Sequence, residues 1–212
     1  MDRTEINNRY PIKELVEYKE HIESLASAKE NSKGSDEVVF NDSVIHASLI
    51  MACILKNSRT INMFCGKFSV FRKAFEDKIN TMLNDEFYDD IREKEIFKSF
   101  HPYQDSIGEL KNFLQRGGQL TVILEENPLE LQEEPIWNDV CQYVGRNLIF
   151  YKRNDNLGKL PHFAIGDDRY YRLENNQIER TALCAFDDKE TVKTLGESFL
   201  TMKSESKKVD FN

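Results

Sequence analysis

Several absences narrow what this chain can be. No apolar run approaches the ~20 residues that span a bilayer, so no membrane partner is expected. The opening Met1-Asp2-Arg3-Thr4-Glu5 lacks the apolar core of a secretion signal, and a cytoplasmic location is the expectation. Cysteine is sparse: Cys53, Cys65, Cys141 and Cys184 are far apart, form no Cys-x-x-Cys pair and have no histidine close by in sequence. A zinc site needs such clustering, so the four are read as buried, reduced thiols. The acidic stretches 85–95 and 125–134 lack the Asp-x-Asp-x-Asp-Gly spacing of a calcium loop and read as solvated faces. No cofactor and no metal are expected. Positive charge is also short, with 29 Lys and Arg against 37 Asp and Glu and a net charge of −8. A free-standing nucleic-acid binder usually presents a basic face, because phosphate neutralisation supplies most of its affinity. The acidic balance suits a subunit that works against another protein, with nucleic acid as a secondary partner.

What is present reads as alternating helices and strands. At 212 residues the chain is long enough for one domain with a real core and an appendage. Ile12, Leu15, Val16, Tyr18, Ile22, Leu25 and Ala26 recur at spacings of three and four, predicting an amphipathic helix within 11–31. That helix either packs on its own core, the favoured reading, or docks a partner. Asn31-Ser32-Lys33-Gly34-Ser35-Asp36 reads as a linker. Asn41-Asp42-Ser43 offers side chains that satisfy free N–H groups at a helix start, and the almost wholly apolar 44–55 predicts a buried helix. Residues 60–65 read as a buried strand, followed by a helix bearing Val70, Phe71, Ala74, Phe75, Ile79 and Leu83. The acidic 84–98 is open between helix and loop. A helix over 104–116 ends at Gly117-Gly118, where glycine takes a left-handed cap. A strand (119–124), an acidic loop (125–134), a helix (135–144) and a strand (147–151) come next. Segments 162–165, 170–174 and 178–185 read as strands, and Asp187-Asp188 opens a last helix. The organisation is an N-terminal helix and linker (1–40), an α/β domain (41–202) and a flexible tail (203–212). Such alternation predicts a mixed, mostly parallel sheet with helices on both faces.

The most informative stretch runs Pro161-His162-Phe163-Ala164-Ile165-Gly166-Asp167-Asp168-Arg169-Tyr170-Tyr171-Arg172-Leu173-Glu174. A helix ending in Arg116-Gly117, an apolar strand, and a histidine on a short strand before an Asp-containing turn precede and compose it. From about residue 42 to 200 this resembles a phospholipase D-like (HKD) domain, a family of phosphodiesterases that includes nucleases. The resemblance implies a phospholipase D-like half, since a full enzyme of the family carries two. The family motif is His-x-Lys-x-x-x-x-Asp, followed by a strand ending in Gly-Ser-x-Asn. Its histidine attacks phosphorus, lysine and asparagine hold the phosphate oxygens, and a second histidine protonates the leaving group, without metal. Here His162 stands in the nucleophile's place, but Ala164 occupies the lysine position and Arg169 that of the aspartate. The closing motif becomes Cys184-Ala185-Phe186-Asp187, with Asp187 where the family carries asparagine. An alanine cannot neutralise a phosphate and an aspartate repels one. The resemblance thus implies a degenerate active site.

Three catalytic candidates remain: His162, Arg172 and Glu174. One hairpin register brings Arg172 and Glu174 to the face of His162, the other brings Tyr171 and Leu173, and the sequence does not choose. An arginine beside the histidine holds a phosphate bidentately; the favoured alternative is an Arg172–Glu174 ion pair and a hydrogen-bonded histidine near the surface. His46 reads as a core histidine and Trp137 as core, while His21 and His101 have no assignable partner. The leading expectation is a non-catalytic subunit that holds a partner protein or positions nucleic acid. Small single-half relatives of this kind look like parts of bacterial multi-gene systems, anti-phage defence among them. The alternative is a divergent phosphodiesterase or nuclease using His162 as nucleophile in a homodimer, because family halves pair two histidines across one site. A third class is a small-molecule sensor using the same cleft. A homodimer or a complex with a larger protein is expected, since the apolar helices over 12–26 and 41–55 offer more surface than a small lone domain hides.

Overall fold

The computed structural model describes residues 11–28, 37–83, 95–96, 98–154, 158, 160–176 and 181–211. The linker read at 31–36 and most of the acidic 84–98 lie outside them. In chain order the elements are α1 (Ile12–Ser27), β1 (Val38–Asn41), α2 (Val44–Asn57), β2 (Thr60–Cys65), α3 (Lys73–Met82), α4 (Pro102–Gln115) and β3 (Gln119–Leu124). Then come α5 (Ile136–Val140), β4 (Leu148–Lys152), β5 (Phe163–Gly166), β6 (Tyr170–Asn176), β7 (Thr181–Ala185), α6 (Lys189–Ser204) and β8 (Lys207–Lys208).

The strands form one sheet in the order β1-β7-β6-β5-β2-β3-β4-β8. Only β2–β3 and β3–β4 are parallel; the other five pairings are antiparallel. The expected mostly parallel sheet is therefore corrected to a mixed, mostly antiparallel one. Part of the cause is local: the short polar turn at 167–169 joins β5 to β6, and a hairpin connection forces antiparallel pairing. Two strands also joined the sheet from segments expected to lie outside it. Val38–Asn41, across the expected boundary between the N-terminal segment (1–40) and the domain, pairs with β7. Lys207–Lys208, in the expected flexible tail, pairs with β4, and Phe211 packs on Trp137 and Phe150. Both strands are too short to carry a period-2 pattern that a sequence reading detects.

Helices cover both faces, as expected. Among the described residues α6 covers one face, seating Val192, Phe199 and Met202 against Phe64, Ile123, Phe163, Ile165 and Tyr171. The other face carries α2, which packs against α4 and α1. Eleven of the fourteen α2 residues are buried, so the apolar run of the sequence is explained by helices on one side and sheet on the other. α1 buries Ile12, Leu15, Ile22, Leu25 and Ala26. The apolar surface expected to drive association is thus consumed inside the chain.

The Arg116-Gly117-Gly118 punctuation is structural. The Arg116 guanidinium donates to the carbonyls of Leu55, Lys56 and Ser58 at the end of α2, where helix carbonyls have no partner of their own. Gly117 has φ +85°, and a Cβ on Gly118 would fall 2.6 Å from the Phe113 ring. The cysteines divide: Cys53 and Cys184 are buried, Cys65 is half-buried and Cys141 is exposed, which corrects the expectation of four buried thiols.

Candidate functional site

β5 and β6 pair with Ala164 opposite Arg172 and Phe163 opposite Leu173. His162 immediately precedes β5, and its carbonyl accepts from the Glu174 N–H at 2.8 Å. Side chains alternate across a strand, so this register places His162, Ala164, Arg172 and Glu174 on one face, and brings the three candidates together. They line a cleft of about 270 Å³, together with Met51, Met63, Phe64, Phe68, Phe75 and Glu125 among others.

His162 is held at both ring nitrogens. Nδ1 lies 2.8 Å from Glu174 Oε2, and Nε2 lies 3.0 Å from Glu125 Oε2. The second Glu125 oxygen is 2.7 Å from Arg153 Nη1. The Arg153 guanidinium in turn reaches the Gly158 carbonyl and lies over the Phe64 ring at 5.3 Å. Phe64 meets the imidazole edge-on, with ring centroids 5.5 Å apart, and Gly66 passes so close that a Cβ there would be 3.4 Å from His162 Cε1. The ring therefore has one orientation. A neutral imidazole carries one N–H and one lone pair, whereas two carboxylate acceptors suit the imidazolium, which donates from both nitrogens.

Burial by itself pushes the His162 pKa down, but hydrogen bonds and attraction from Glu174 and Glu125 outweigh it and hold it above the ordinary value of 6.5. A raised folded-state pKa contributes stability that is fully present below about pH 6.5 and is lost as pH rises through the folded value. Titration of the His162 ring by NMR should give a midpoint above 6.5, falling in Glu174→Gln. A wild-type midpoint at or below the ordinary value would show that the clamp is absent in solution.

Glu125, Arg153 and Asn41 were not foreseen as parts of this site. The stretch 125–134 was read as a solvated acidic face, yet Glu125 turns inward to the imidazole. The available signal was positional: Glu125 directly follows a parallel strand, and open α/β sheets gather functional groups at such carboxyl ends. Asn41 is buried, accepts from Arg172 Nε at 2.8 Å and donates to the Ser43 carbonyl at 2.8 Å. The expected Arg172–Glu174 pair is present but long, at 3.9 Å.

The other motif positions point elsewhere. Asp187 is paired with Arg169 at 3.1 Å, its side chain only 4% exposed, and Arg169 also donates to the Ala28 carbonyl. Asp167 accepts from the Arg59 and Thr60 amides and the Thr60 hydroxyl, and Asp188 caps α6 through the Thr191 N–H at 2.9 Å. His46 is the structural histidine expected: it stacks on Tyr18 at 4.0 Å and meets Asp42 at 2.5 Å, and burial lowers its pKa against the pull of Asp42. Among the described residues no group of three or more His, Cys, Asp or Glu side chains is placed to hold a metal ion. No described helix is long and apolar enough to cross a membrane.

No protein-family model matches the chain, and no curated protein matches it in sequence. Solved structures do resemble it. TrmBL2, an archaeal chromatin protein described as showing a novel mode of DNA binding, aligns with TM-score 0.50 at 16% identity over 93% of this chain. This chain spans 65% of the length of TrmBL2. Nuc from Salmonella typhimurium, a phospholipase D family member, aligns with TM-score 0.49 at 9% identity over 82% of this chain and 96% of Nuc. Phosphatidylserine synthase of Haemophilus influenzae aligns with TM-score 0.49 at 11% identity over 88% of this chain and 44% of the synthase. At such identities the likeness concerns the path of the backbone alone.

Proposed function

We propose that this chain is a non-catalytic phospholipase D-like subunit, which binds where the family its motifs resemble cleaves. The observation that carries this reading is the double clamp on His162. A histidine that attacks phosphorus needs a free lone pair aimed at the phosphate. Here the outward nitrogen faces Glu125, a carboxylate standing where an anionic substrate would have to come. Ala164, 3% exposed, supplies no charge at the lysine position, and Asp187 is spent on Arg169. Loss of even one preorganised charge-stabilising group costs on the order of a hundredfold in rate.

Purified protein is therefore expected to leave bis(p-nitrophenyl) phosphate, single-stranded DNA and duplex DNA intact without metal. Robust turnover abolished by His162→Ala would overturn the proposal. It would promote the alternative, a divergent phosphodiesterase acting as a homodimer. One observation favours that alternative: Arg172 lies directly across from Ala164, so a cation absent from one strand is present on the next.

The partner class follows from the surface. Among the described residues β1 is an edge strand, and its Val38 and Phe40 are 43% and 68% exposed. Register aligns Phe163, Leu173, Leu183 and Phe40 in one row across the sheet, so an apolar strip runs out from under α6 to the open edge. We assign this strip to a second copy of the chain. Like-charged copies of net charge −8 repel, and an uncharged strip with an open antiparallel-capable edge is where they meet at least cost. Sedimentation at micromolar concentration is expected to show a dimer that Phe40→Ser weakens. A monomer would leave a larger protein partner, in a multi-protein complex of the anti-phage kind, to be sought by affinity capture from the host. Nucleic acid is the weaker partner class, because Glu125, Glu126 and Glu174 all line the cleft and repel phosphate.

A further inference from the structure

Among the described residues the two edges of the sheet are finished differently. At one, β1 presents Val38 and Phe40 to solvent. At the other, β4 is not left as the edge. The Leu120 N–H donates to the Asn147 carbonyl, and carbonyls alternate in direction along a strand, so those of Leu148 and Phe150 point away from β3. Both are taken: the Gly145 N–H donates to Leu148 at 2.9 Å, and the Val209 N–H to Phe150 at 3.0 Å. Beyond them Tyr151 and Lys152 pair with Lys208 and Lys207. The segment that supplies these bonds is clipped at each end. Lys203 lies over the Tyr151 ring at 5.3 Å, and Ser206 Oγ donates to the Met202 carbonyl at 2.7 Å. Phe211 packs on Trp137 at 4.7 Å and on the buried Phe150 at 5.4 Å.

We propose that residues 207–211 are a cap that closes the β4 edge against strand addition by a second copy of this chain, and so confine association to β1. This goes beyond the dimer inferred above: that reading concerns where copies meet, this one where they are kept apart. β4 is the strand that needs closing. It runs Leu-Ile-Phe-Tyr-Lys with Leu148 and Phe150 buried, a β-favouring segment that would template another strand if its outer carbonyls were free. β8 has only two residues, both exposed lysines. A very short strand carrying lysine is a known means of keeping a sheet edge from pairing with another sheet. Had Phe211 served core packing alone, the rim would not call for charge, and strand positions favour β-branched and aromatic residues over lysine.

Sedimentation of the full chain tests this, with Trp137, its single tryptophan, reporting by its emission whether Phe211 is seated. Val209→Pro removes the N–H that closes Phe150, and Phe211→Ser removes the anchor. Each should shift the Trp137 emission and turn the wild-type species into larger ones that grow with concentration. A synthetic decapeptide of residues 203–212 should reverse that growth by refilling the edge, and its Phe211→Ser form should not. Lys207→Thr combined with Lys208→Val keeps the capping strand and alters exposed positions only, so it serves if the first two variants do not fold. It makes the chain more acidic, yet should increase association, the opposite of what overall charge dictates. Association unchanged from wild type in the variants that fold overturns the proposal. So does growth of Val209→Pro or Phe211→Ser that the decapeptide leaves untouched. Adding Phe40→Ser to each variant tells the two readings apart. Association that survives it uses the opened β4 edge, and association that it abolishes uses β1 and overturns the cap. A monomeric wild type beside growing uncapped variants refutes the β1 dimer alone.

Discussion

Ile123→Ala and Leu49→Ala are each expected to destabilise the protein by about 2–5 kcal/mol, the range for deleting a large aliphatic side chain from a packed core. Ile123 is 0% exposed and lies in the cluster beneath α6 with Phe64, Phe163 and Phe199. Leu49 is 2% exposed and belongs to the core on the opposite side of the sheet, beside Ala52 and Cys53 of its own helix and close to α1 and α4. Because the two sites share no partners across the sheet, the double variant should lose close to the sum of the single losses. Denaturant melts read both effects. A loss below about 1 kcal/mol at either site would mean that its element is a surface element and its core assignment wrong.

Asp187→Asn is the second large effect, and its sign is the informative part. The substitution restores the residue type that the phospholipase D-like family carries at the matching position, so a purely motif-based argument expects gain of function. The geometry predicts a loss of stability instead, of about 1.5–3 kcal/mol, the usual worth of a hydrogen bond to a charged group. Asp187 is buried against Arg169, and neutralising it leaves that guanidinium without its counter-charge in a partly enclosed place. Chemical denaturation and a phosphodiesterase assay on the same preparation decide the matter. Any appearance of hydrolysis, or a stability change within about 0.5 kcal/mol as for surface substitutions, would show that Asp187 addresses the cleft after all.

The two substitutions differ in how their sites are reached from residues. Ile123 needed nothing beyond the run Leu120 to Leu124, because a continuous apolar run in a short strand has no soluble solution except burial on both faces. Asp187 was placed beside the phosphate by motif alignment, and three-dimensional packing took it elsewhere. Its neighbour in space is Arg169, eighteen residues away in sequence, and no local pattern marks such a pair. The same holds for His162. The histidine and its following turn were visible as a motif, and Arg172 and Glu174 as candidates, but their meeting hung on a register in which a one-residue slip exchanges every side chain between faces.

What the amino-acid order determined by itself was therefore whatever depends on local periodicity and local caps. The buried helix over Val44–Asn57, the glycine-ended helix before β3, the central strands and the absence of a lysine at Ala164 are all of that kind. Tertiary structure alone decided the strand directions at the sheet edges, the recruitment of Val38–Asn41 and Lys207–Lys208, and the closing of Glu125 onto His162. The physical reason is range. Helix faces and caps are set by contacts within four residues, whereas edge pairing joins Val38 to Ala185 and Lys152 to Lys207, and the clamp between the residue after β3 and the residue before β5 joins groups 37 residues apart; these energies appear only once the sheet has formed.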